Sequence, residues 1–135
     1  QKIEWNAKRF LSKNNYLIQT DAVKNYLIPK QNYSENLEWL AYAKEADVLN
    51  VALFGFTAKA WREINPELAG NSNVRDYATI YELTVLSNLE THNAQMIREG
   101  RDKKERFLIL KEIADYQLKI LNEAQSINNQ IEEKQ

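Results

Sequence analysis

The sequence predicts an all-α fold, a single compact domain of about six or seven helices with a long C-terminal helix. Three observations predict it. The 135 residues include only three glycines and two prolines, so few points interrupt regular backbone. Apolar residues recur at steps of three and four along most of the chain. Several of these stretches carry a start signal and a stop signal of their own.

The first predicted helix covers residues 2–11, with Ile3, Ala7, Phe10 and Leu11 on one side. Lys2, Lys8 and Arg9, followed by Lys13, make the other side basic. Asn14 and Asn15 are read as a break. Thr20 or Asp21 is expected to cap a short helix, DAVKNYLI, that ends before Pro29, because the residue before proline avoids the helical region. Tyr26, Leu27 and Ile28 are expected to face inward, and residues 29–35 to connect.

NLEWLAY (residues 36–42) and EADVLNVALF (residues 45–54) are read as two helices, the second ended by Gly55. Thr57 caps AKAWREI, which Asn65 and Pro66 terminate. Residues 67–77 are expected to be a loop. The central helix then runs from Thr79 to Gly100. Thr79 and Glu82 have capping-box spacing, and Gly100 suits a left-handed closing position. Ile80, Leu83, Leu86, Leu89, Asn93, Met96 and Ile97 form its stripe, widened by Val85 and Ala94. A stripe that wide is buried on more than one side. Asp102 and Glu105 have the same box spacing and open the final helix, whose residues 126–135 are expected to fray.

Composition narrows the function classes. A chain of this length buries a core without a covalent staple. The absence of cysteine excludes disulfides and thiolate metal sites and suits a reducing, cytoplasmic setting. No apolar run approaches the ~18 residues of a membrane span. Because the chain begins with Gln1, it is expected to be a piece of something longer. The net charge of −1 lacks the basic excess typical of a free-standing nucleic-acid binder.

No catalytic or metal-binding constellation emerges, and neither a cofactor nor a small-molecule substrate is implied; the expectation is a non-enzymatic domain. His92, the only histidine, sits at helical spacing with Leu89 and Met96 and reads as a core or boundary residue. Glu45 with Asp47, and Asp76 beside Arg75, read as solvated charges near helix starts. EADVLNVALFGFTAKAWREI resembles a helix-turn-helix with Gly55 in the turn, from which Lys59 and Arg62 project as candidate phosphate contacts. The basic amino-terminal residues Lys2, Lys8, Arg9 and Lys13 are candidates of the same kind. In the final helix, Leu110, Ile113, Gln117, Ile120, Ala124 and Ile127, continued by Ile131, alternate steps of three and four and form a candidate coiled-coil seam. Its alternative is an ordinary core-facing helix, which Leu118 and Leu121 favour by broadening the stripe.

The order NYLIQTDAVKNYLIP, EADVLNVALFGFTAKAWREINPELAGN, VRDYATIYELTVLSNLETHNA and KERFLILKEIADYQLKIL resembles the C-terminal region of bacterial and phage KilA-N domain-containing proteins. ALFGFTAKAWREINPEL, RDYA and VLSNLE with the following NA are its most specific pieces. The resemblance covers roughly residues 5–121. It implies an accessory domain of a DNA-binding, phage-related regulatory protein, in which an upstream KilA-N module makes the main DNA contacts. The implied work is protein interaction, with a second copy as a homodimer or with another protein. The alternative is direct DNA binding through residues 45–64 and the basic amino-terminal helix.

Overall fold

A computed structural model describes the backbone of residues 2–32, 34–68, 70 and 74–133. Of these, it also describes the side chains of all but residues 2–5, 8, 9, 11, 12 and 127–133. Most of the described residues are helical, with no strand among them. The order is α1 (Lys2–Ala22), α2 (Ile28–Gln31), α3 (Glu38–Phe54), α4 (Ala58–Ile64), α5 (Ile80–Arg98) and α6 (Lys103–Glu133). A π-turn, Val23–Leu27, joins α1 to α2 into one rod. Among the described residues the helical rods therefore number five rather than six or seven.

Two expected breaks are absent. Asn14 and Asn15 lie inside α1, because both side-chain amides find partners that leave the backbone ladder intact. Asn14 donates to the Phe10 carbonyl at 2.8 Å, and Asn15 to the Ser87 carbonyl of α5 at 3.1 Å. Likewise, 36–42 and 45–54 merge into α3, since the short stretch between them contains no helix breaker. Pro29 does not stop the first rod. It stands in the opening turn of α2, where its missing N–H is tolerated, and the wider turn before it is closed by the Ile28 N–H bonding back to the Val23 carbonyl. The rod ends at Asn32, which adopts a left-handed conformation.

Neither Thr20 nor Asp21 starts a helix as expected; both lie inside α1, where Thr20 donates to the Leu17 carbonyl. Other end signals behave as their chemistry predicts. Thr79 accepts from the Glu82 N–H at 3.1 Å, and the Glu82 carboxylate accepts from the Thr79 N–H at 2.9 Å, a complete capping box. Gly100, at φ +79°, closes α5: its N–H reaches the Ile97 carbonyl, and that of Arg101 reaches Met96. Gly55, at φ +85°, closes α3, and Thr57 caps α4 through the Ala60 N–H. At the start of α6, Asp102 accepts from the Glu105 N–H at 2.8 Å, but the Glu105 carboxylate is taken by Arg101.

α5 is the central post. It buries Val85, Leu86, Leu89, Met96 and Ile97, and α1, α3 and α6 all pack on it. α1 is its most extensive neighbour. α1 runs parallel to α5, because Asn15 meets Ser87 and Gln19 meets Asn93 further along both helices. α6 folds back antiparallel, with Asn93 meeting Arg106 and Asn88 meeting Gln117. The main core joins Leu49, Ala52, Val85, Leu89, Leu110 and Ala114; a second one joins Ala22, Val23, Ile28, Ala41, Ala94 and Ile97. α4 is placed differently. It packs on the short 3-10 helix Val74–Tyr77, with the buried Trp61 ring 5.6 Å from that of Tyr77.

Candidate functional site

Two features stand out from ordinary packing among the described residues: a charged network inside the bundle and an exposed apolar stretch of α6 outside it. The network takes one residue from each long helix: Gln19 (α1), Glu45 (α3), Asn93 (α5) and Arg106 (α6). Arg106 is only 1% exposed and Glu45 2%. The Arg106 Nη1 group donates to Glu45 Oε1 and, at 2.8 Å, to Asn93 Oδ1; Nη2 donates to Glu45 Oε2 at 3.1 Å. The Arg106 Nε–H donates to the Arg101 carbonyl at 3.2 Å. Asn93 Nδ2 donates to both Gln19 Oε1 and Glu45 Oε1. The guanidinium fork and the carboxylate thus meet bidentately, and the amides close the remaining valences.

Glu45 therefore is not a solvated charge near a helix start, as its sequence position suggested. Its cost of desolvation is met by a partner 61 residues away in sequence. Glu90 is a contrasting case. It is buried, and neither carboxylate oxygen has a hydrogen-bond partner among the described residues. Arg75 Nη2 approaches to 4.0 Å. Burial pushes the Glu90 carboxyl up to about 7, and the Arg75 charge pulls it partly back. Arg75 is a half-buried member of this inner group, not a solvated loop charge.

The sequence-predicted residues separate into three sets. On α6, Leu110 is fully buried, and Ile113 packs against the main core. Gln117 accepts a 2.9 Å hydrogen bond from Asn88. Leu110 is therefore not available to a partner, because α3 and α5 already cover this part of the helix. Further along, Ile120 is 44% exposed and Ala124 is exposed; Ile127 lies outside the described side chains. Tyr116, 66% exposed, adds to the open stretch.

Lys59 and Arg62 are exposed on α4, and Lys13 is exposed on α1, whereas Lys2, Lys8 and Arg9 lie outside the described side chains. Lys13 sits on a helix that packs on α5, and the α4 pair sits on one that packs on the 3-10 helix, so the two basic sets belong to different parts of the fold. His92 is exposed on α5 rather than a core residue. Among the described residues, no cluster of three potential metal ligands occurs, and no helix is long and apolar enough to cross a membrane.

Comparison with protein-family models, curated proteins and solved structures finds no match to this chain.

Removing one partner of the buried ion pair leaves the other charge uncompensated, so Arg106→Met is expected to cost about 3–5 kcal/mol in urea unfolding. The double variant Glu45→Leu with Arg106→Met is expected to recover much of that loss; a double-mutant cycle measures the coupling. Glu90 generates a pH dependence of its own. Below its ordinary value of 4.5 the carboxyl is protonated in folded and unfolded chains alike. As pH rises from there through about 7, the unfolded chain releases its proton first, and folding loses stability. Glu90→Gln is expected to remove this fall and to exceed the wild type at pH 8 by on the order of 2 kcal/mol, measured by urea unfolding across pH 4–8.

Proposed function

We propose that this chain is a non-enzymatic interaction domain that self-associates through the second half of α6. In this reading it serves as an accessory domain of a DNA-binding, phage-related regulatory protein. The supporting observation is the division of the α6 seam. Its first members, Leu110, Ile113 and Gln117, are occupied within the bundle. The same three-and-four spacing then continues through exposed Ile120 and Ala124, and in sequence through Ile127 and Ile131. The helix runs to Glu133, 12 residues and about 18 Å past Leu121, the last of its described side chains packed on the main core. A helix end of that length gains little from propensity alone, and packing against a partner would stabilise it. The DNA-related context comes from the KilA-N resemblance, which assigns DNA contact mainly to a module upstream of the matched region.

Light scattering across a concentration series tests the reading. A dimer is expected, with Ile120→Asp weakening association at least tenfold while leaving helical content unchanged; a chain that stays monomeric near millimolar concentration overturns it. A second reading, direct DNA contact through α3, the turn and α4, is favoured by the left-handed Gly55, the Thr57 cap and the exposed Lys59 and Arg62. That reading requires gel retardation at low salt with the chain at tens of micromolar, abolished by Lys59→Glu with Arg62→Glu; absence of retardation removes it.

A further inference from the structure

A groove of about 400 Å³ opens between α3 and the first turns of α6. Its cations come from both walls: Lys44 from α3, and Lys103 and Lys104 from α6, all three exposed. One carboxylate, that of the half-buried Asp47, lines it with them. The acids next in sequence to the α6 lysines are engaged elsewhere. Asp102 accepts from the Glu105 N–H, and the Glu105 carboxylate is held by Arg101. The groove is therefore locally basic on a chain whose net charge is −1. The rest of its lining is apolar: the buried Val48 and the half-buried Val51 and Phe107.

These two properties together select the occupant. Nucleic-acid phosphates would satisfy the lysines but place nothing on the valines and the phenylalanine. A membrane surface is flat and does not enter a concave site. A peptide with both acidic and apolar side chains satisfies the whole lining. The walls are two helices, and the furrow between packed helices accepts a third helix lying along it. From Lys44 to Val51 the α3 helix rises about 10 Å, so the contact takes about two turns of the bound helix.

We propose that this groove docks an acidic amphipathic helix of another protein, with its apolar side on Val51 and Phe107 and its carboxylates on the lysines. The site is separate from the self-association surface. Phe107 and Tyr116 are nine residues apart, about 180° around α6, so the groove and the exposed stretch at Tyr116 and Ile120 occupy different sides of the helix. A second copy joined through that stretch leaves the groove open.

Fluorescence anisotropy with a labelled synthetic peptide tests the docking. The peptide has about 18 residues, enough to be helical on its own, with leucines at helical spacing and glutamates on the flanks. The chain is expected to bind it, and to bind about tenfold more weakly at high salt or when serines replace the leucines. Lys103→Glu with Lys104→Glu is expected to weaken binding at least tenfold with helical content and light-scattering mass unchanged. The same variant is expected to prefer a counterpart peptide with lysine in place of each glutamate. No binding near millimolar peptide, equal binding of the leucine and serine peptides, or indifference to the charge reversal overturns the proposal. A double-stranded DNA oligonucleotide that displaces the peptide, and itself fails to bind the charge-reversed variant, assigns the lysines to phosphate and overturns it as well. Loss of self-association in that variant makes the groove a contact between copies, and also overturns docking of a different protein. A monomeric chain that binds the peptide overturns the self-association reading and leaves the groove proposal standing.

Discussion

The bidentate pairing of Arg106 with Glu45 sets the terms on which the other helices assemble. Two desolvated charges tolerate only the arrangement in which each finds its partner and every remaining donor and acceptor is filled. Asn93 fills two of those positions, accepting from Arg106 and donating to Glu45, and Gln19 accepts in turn from Asn93, which draws α5 and α1 into the same geometry. Apolar side chains such as Leu49, Leu89 and Leu110 supply burial energy, but they accept sliding by a turn far more readily than a forked hydrogen bond does. The network thus selects one register of four helices, and the hydrophobic core fills around it.

Glu90 shows what the same interior does with a less complete arrangement. It lies on α5, one turn before Asn93, yet its carboxylate meets only a distant guanidinium. The low-dielectric interior that strengthens the filled network raises the proton affinity of the unfilled group. Two acids a few residues from one helix axis therefore take opposite roles, decided by hydrogen-bond supply alone.

What could be read in the sequence was local. Thr79 with Glu82, Thr57, Gly55 and Gly100 act within one turn of themselves, and each end signal sits where its chemistry placed it. The all-helical class and the central place of α5 followed from apolar spacing, and Asn93 was visible as a polar residue within that stripe. The breaks failed where tertiary partners compensated, as Ser87 does for Asn15. Glu45 and Arg106 were illegible as a pair because nothing local marks a partner 61 residues away; the available hint was that each stands four residues before a buried leucine, Leu49 and Leu110. The α6 seam was legible as a pattern, but not that its first members, Leu110 and Ile113, are taken up by the core of the bundle itself, because that depends on which helices pack against α6.

The wide turn at Val23–Leu27 has a consequence for which side chains share a face. A π-turn spends five residues on a turn that an α-helix makes in about four. In an unbroken α-helix, positions five apart would point about 140° from one another. Here the wider turn, closed by the Ile28 N–H on the Val23 carbonyl, leaves Val23 and Ile28 both buried in the cluster that holds Ala94 and Ile97. The first rod thus carries a built-in phase correction that keeps one face on the core through the Pro29 turn.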